Sequence, residues 1–81
     1  SADLRTTLQN PKNRTFTDTT IGQIIAQLAA DNALTPRCHP DLADHPVTAI
    51  EQANQSDIAL LRDLGRRYDA AATIKAGTLL F

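Results

Sequence analysis

Cysteine occurs once in this 81-residue chain, glycine three times, and aromatic side chains only as Phe16, Tyr68 and Phe81. A single cysteine excludes an internal disulfide framework and fits a reducing compartment. The three glycines stand apart from one another, so no glycine-rich phosphate loop is present. Charge of one sign is missing too. Eight basic and nine acidic residues leave a net charge of −1 with no long run of either sign. Neither a nucleic-acid-binding arm nor a membrane-surface patch is expected from that balance. No apolar run approaches membrane-spanning length. At this size one domain is the limit, with a core only just sufficient for independent folding.

What is present concentrates in the last third, Ser56 to Phe81. Ile58, Leu61, Gly65 and Tyr68 recur at helical spacing with Leu60 and Leu64 beside them, and Arg62, Asp63, Arg66 and Arg67 fall on the opposite face. Ser56 is a good N-cap and Asp57 suits the first turn. Gly65 inside the apolar stripe costs about 1 kcal/mol relative to alanine, which points to close approach by another backbone, that of the first helix or of the hairpin. Asp63 and Arg67 are placed to pair on the surface. After Asp69 the period changes to two: Ala70, Ala72 and Ile74 alternate with Ala71, Thr73 and Lys75. Ala76-Gly77 then turns the chain into Thr78 to Phe81, which predicts a β-hairpin covering the helix's apolar stripe.

The first half holds one clear helix. Thr20 to Gln23 is a capping-box pattern, and Ile21, Ile24, Ile25, Leu28 and Ala29 follow at helical spacing. Asn32 is suited to the left-handed conformation that ends helices. Before it, residues 1–18 read as a partly irregular segment with a short strand at Leu4, Thr6 and Leu8 and a turn at Asn10 to Asn13. Arg5, Lys12 and Arg14 there read as a solvated loop, and Phe16 is positioned to pack beside the helix as a staple would. Leu34 to Cys38 predicts a strand that Pro36 limits to an edge or an entry position. His39 to Ala43 predicts a turn with a helical bend, and Val47 to Ile50 a short extended segment. The fold class is therefore α+β: two amphipathic helices packed on a small, mainly antiparallel sheet with a C-terminal β-hairpin.

Chemistry has few places to sit. Cys38, His39, Asp41, Asp44 and His45 supply thiolate, imidazole and carboxylate within eight residues, and zinc accepts all three. Adjacent Cys38 and His39 would point apart in an extended segment, however, and no Cys-x-x-Cys or His-Glu-x-x-His spacing occurs. The stretch reads as a polar surface loop with Cys38 partly buried, with no cysteine nucleophile, metal or other cofactor expected. Arg62, Arg66 and Arg67 form a basic ridge that Asp63 and Asp69 interrupt, which favours a solvated or protein-facing surface over phosphate contacts.

The order of several short motifs carries a resemblance. Ser56-Asp57 opens a helix, Leu61-Arg62 follows in an apolar-rich turn, Leu64-Gly65-Arg66-Arg67-Tyr68 ends it, and an alanine-rich strand closes on Gly77 to Phe81. Gln52 lies upstream, as do Arg14 to Phe16, Thr19 to Ile25, and Asn32 to Pro36. From about Leu8 to Phe81 the pattern resembles the late control D (tail protein D) family of contractile-tailed bacteriophages.

That resemblance implies a structural, non-enzymatic hub protein of the baseplate. It would be a trimer held between tail tube and spike, similar in role to the hub part of type VI secretion spike proteins. The implied partners are other tail proteins and neighbouring domains of a longer parent chain, and the implied location is the virion tail, assembled in the host cytoplasm. The missing initiator methionine and the strand-like Phe81 end fit residues 1–81 being one excised domain. Arg62, Arg66 and Arg67, which the core does not need, are the expected protein contacts. The rival expectations are a stand-alone binding module for cell-wall glycan or protein, which needs an exposed aromatic site, and a small metal-dependent enzyme built on Cys38 to His45.

Overall fold

The computed structural model describes the backbone of residues 4–81 and the side chains of residues 7–81. In chain order the elements are α1 (Leu4–Gln9), β1 (Lys12–Thr20), α2 (Ile21–Asp31), β2 (Thr35–Arg37), α3 (Pro40–Ala43), β3 (Pro46–Gln55), α4 (Asp57–Tyr68), β4 (Thr73–Lys75) and β5 (Thr78–Leu80). The fold is α+β, as the periodicities predict. Its strands form two sheets where one was expected. β1 and β3 make an antiparallel ribbon, and the second sheet runs β2-β5-β4.

α2 is the centre of the core. Thr20 Oγ1 accepts the Gln23 backbone N–H at 3.2 Å and so caps the helix. The reciprocal half of the capping box is not made, because the Gln23 side-chain oxygen accepts the Thr19 hydroxyl instead. Ile21, Ile24, Ile25, Leu28 and Ala29 are all buried, together with Val47 and Ile50 of β3, Leu60, Leu61 and Leu64 of α4, and Leu79 and Phe81. The helix ends differently from expectation. Asn32 keeps a negative φ, and the left-handed residue is Ala33 at φ 56°. The Asn32 side chain is used elsewhere, as described below.

The N-terminal segment needs the largest corrections. Leu4 to Gln9 is a helix, not a strand. Leu4 and Leu8 are four apart, a spacing that suits a helical face as well as strand alternation; α1 lies against α4, with Leu8 buried. Lys12 to Thr20 is a nine-residue strand where an irregular loop was expected. Over Lys12–Phe16 its period is two, but the half-buried positions there are Lys12, Arg14 and Phe16, so a search for apolar alternation passes over it. Phe16 pairs with Ile50 across the ribbon and packs on the core, with the Arg14 guanidinium 5.0 Å from its ring centroid. The register slips between Lys12 and Arg14, where Asn13 faces both Ala53 and Asn54. Asn54 takes φ 47° there, and its N–H donates to Asn13 Oδ1 at 2.8 Å.

β2 is an edge strand, one of the two places Pro36 allowed, and Pro40–Ala43 is the short helical bend. Val47 to Ile50 lies within a strand that continues to Gln55. The hairpin forms as predicted, but it packs elsewhere. β5 runs parallel to β2, and backbone bonds from Thr35 to Gly77, Phe81 to Arg37 and His39 to Phe81 tie it to the chain that leaves α2. The hairpin's buried residue Leu79 therefore joins α2's side of the core, while α4 packs on β3. Ala76 and Gly77 take φ 51° and 75°, the positive pair that a two-residue hairpin turn needs. Alanine is strained there. Ala76→Asn should stabilise the chain by roughly 0.5–1 kcal/mol, read as a higher denaturant midpoint at unchanged slope.

Candidate interaction surface

The surface that the sequence singles out is carried by α4, and a polar cluster fixes where α4 begins. Ser56 Oγ accepts the Ala59 N–H at 3.1 Å. The next residue, Asp57, is completely buried. Its Oδ2 accepts from Lys12 Nζ at 2.6 Å and Asn32 Nδ2 at 2.9 Å. Its Oδ1 accepts from Gln52 Nε2 at 2.8 Å and Arg14 Nη2 at 3.1 Å. Burial alone would raise the carboxyl's pKa. The hydrogen bonds from Lys12, Gln52 and Asn32 and the Lys12 charge outweigh it, and the pKa falls below its ordinary 3.8.

The donors are themselves held. Arg14 Nε donates to Gln52 Oε1 at 2.7 Å and its Nη1 to Asp31 at 2.5 Å, while Asn32 Nδ2 also donates to the Leu28 carbonyl at 2.7 Å. One carboxylate thus joins β1, the end of α2, β3 and the start of α4. Lys12 and Arg14 belong to this cluster and not to a solvated loop. Asp57 was legible as a first-turn residue, its burial was not, and Gln52 and Asn32 carried no chemical signal of their own.

The buried face of α4 is Leu60, Leu61, Leu64 and Gly65, with Ile58 and Tyr68 half-buried at its margins. Gly65 is where another backbone approaches: a Cβ there would lie 2.6 Å from the Ala70 carbonyl oxygen. That carbonyl belongs to the segment just after the helix, which reverses at Asp69 with φ 53°. The reversal leaves an open groove of about 660 Å³ between α4 and β4. Ile58, Leu61 and Gly65 line it from the helix, and Ala70, Ala71, Ala72 and Ile74 from the chain leading into the hairpin.

The basic ridge is exposed along its length but does not act as one unit. Arg62 and Arg66 border the groove, whereas Arg67 borders a smaller recess against β3. Arg66 donates to Asp63, replacing the expected Asp63–Arg67 pair, and Gln55 Nε2 also donates to Asp63 at 2.6 Å. Among the described residues Arg62 has no ion-pair partner. Ile74, 38% exposed, is the one large apolar side chain left open among the described residues.

The Cys38–His45 stretch disperses its chemistry. His39 Nδ1 accepts the Asp41 N–H at 3.1 Å and caps α3. His45 meets the Tyr68 ring edge-on at 5.0 Å. Cys38 is half-buried and packs on the core, and burial raises its thiol pKa. No three His, Cys, Asp or Glu side chains among the described residues are grouped to hold a metal. Phe81 is buried and Phe16 and Tyr68 pack against the core, so the compact exposed aromatic site that a glycan-binding module needs is not formed among the described residues.

No protein-family model matches the chain, and no solved structure matches it. Among curated proteins it is 40% identical, across all 81 residues, to a probable baseplate hub protein of Escherichia phage 186. It is 36% identical, again across all 81 residues, to a probable baseplate hub protein of Escherichia phage P2. The chain spans 21% of the length of each relative. It is a homologue of a segment of these proteins, and the baseplate-hub resemblance holds over its full length.

Proposed function

We propose, from that homology, that these residues are a structural domain of a contractile-tail baseplate hub and perform no catalysis. The observation that carries this reading is identity of 40% and 36% to the two probable baseplate hub proteins without loss of coverage anywhere in the chain. In this reading residues 1–81 are one domain of a longer polypeptide that trimerises and holds neighbouring tail proteins between tube and spike. Its place is the virion tail, built in the host cytoplasm.

The role of the fold is mechanical. The Asp57 cluster fixes α4 to the ribbon, and α4 presents Arg62, Arg66 and the groove beside them to a neighbour. Arg67, on the other side of the helix, serves a second contact against β3. Light scattering on the full-length polypeptide tests the assembly state. A trimer mass is expected. A monomer across a wide concentration range would overturn the hub reading and favour a stand-alone binding module.

A further inference from the structure

The groove between α4 and the hairpin has a feature that the arginine ridge alone does not explain. β4 is the outer strand of its sheet, with β5 on one side and, among the described residues, no strand on the other. The two-residue turn closes on Lys75 and Thr78, so Lys75 and Thr73 are turned toward β5 and the N–H and C=O of Ile74 face the open edge. Natural sheet edges are usually shielded by charge, proline or a covering segment. Here the residue at the open edge carries the exposed apolar side chain, and it lines the groove.

The chain before it is equally bare. Ala70, Ala72 and Ile74 keep the period of a strand, yet regular pairing starts only at Thr73. Ala71 and Ala72 are exposed and make no backbone hydrogen bond among the described residues. This is a strand sequence without a strand beside it. Across the groove stand Arg62, which has no ion-pair partner among the described residues, and Arg66, which shares its charge with Asp63; Asp69 is the one acid among the described lining residues. The wall facing the open edge therefore offers the Arg62 guanidinium as its unpaired cation.

We propose that a strand from another tail protein, alternating acidic and apolar side chains, lies in this groove and adds to the edge of β4. Main-chain bonds to Ile74 and Ala72 extend β4 back toward Ala70, apolar side chains cover Ile74 and the half-buried Ile58, and carboxylates meet Arg62 and Arg66. The tail-protein source rests on the hub reading, but the chemistry of the occupant rests on the groove.

The test uses the full-length polypeptide and two short dye-labelled peptides, one alternating valine with glutamate and the other valine with lysine. Fluorescence anisotropy should show the glutamate peptide binding at least about tenfold more tightly. Hydrogen exchange at the Ala72 and Ile74 amides should slow by about tenfold when it is bound. Ile74→Pro, which removes the outward donor and spares the bonds to β5, should abolish binding. Arg62→Glu, on an exposed helix position, should reverse the preference toward the lysine peptide, a result that misfolding could not mimic.

Equal affinity for both peptides, no saturation by about 1 mM, or slow exchange at Ile74 before any peptide is added would each overturn the proposal. The hub reading fails separately. A monomer that still selects the glutamate peptide would sink the trimeric hub and leave the strand site standing. A trimer with a bare edge that ignores both peptides would do the reverse.

Discussion

Asp57→Ala should cost about 3–5 kcal/mol and lower the melting temperature by roughly 15–30 °C, measured by circular dichroism at neutral pH. The whole stability of a chain this size is on the order of 4–12 kcal/mol, so this one side chain decides whether the chain is folded at body temperature. The donors left behind set the cost. Gln52 and Asn32 are buried, and each would keep a donor aimed at an empty position. An unsatisfied buried amide costs about 1–3 kcal/mol. Lys12 and Arg14 retain some contact with water, their side chains being 25% and 27% exposed, so they contribute less to the loss.

The pH dependence has a definite sign. Asp57 has a lowered pKa in the folded chain, so its contribution is present above the unfolded carboxyl's 3.8 and is lost as pH falls through the folded value beneath it. Acid unfolding of the wild type should therefore carry a component that Asp57→Ala lacks.

Leu28→Ala is the second large effect, about 2–5 kcal/mol, and it should be flat with pH from neutrality through the acid range where Asp57 titrates. Leu28 is fully buried on α2, the helix around which both sheets and α4 gather. Truncation leaves a void lined by buried neighbours that can close only partly. The Leu28 carbonyl also accepts from Asn32, but that is a backbone group and the substitution leaves it in place. Comparing the two variants by urea titration across pH separates the apolar core from the polar cluster. If both lost stability equally at every pH, Asp57 would be acting as filler and not as a charge.

The contrast between these residues also explains what could be seen in the sequence. α2 and α4 were legible because their apolar residues recur at helical spacing between good caps, and the hairpin because its period and turn agree. β1 was missed since its inward face is Lys12 and Arg14, residues that ordinarily signal solvent. They point inward for the sake of a carboxylate more than forty positions away, a pairing that only the folded chain reveals. Leu4 to Gln9 was misassigned because two leucines four apart suit both periods. The hairpin's docking was misjudged because nothing local reports that β5 pairs in parallel with β2, so the space beside α4 was left open. Arg62, Arg66 and Arg67 were correctly read as exposed, but the groove that divides them was not foreseeable from their spacing.

Mass spectrometry of purified contractile particles tests most directly the proposal that these residues belong to the baseplate hub of a contractile tail. The polypeptide carrying residues 1–81 should co-sediment with intact tails and remain with the baseplate when sheath and tube are stripped away. Its absence from particles, with the polypeptide recovered only as free protein in the lysate, would contradict the account.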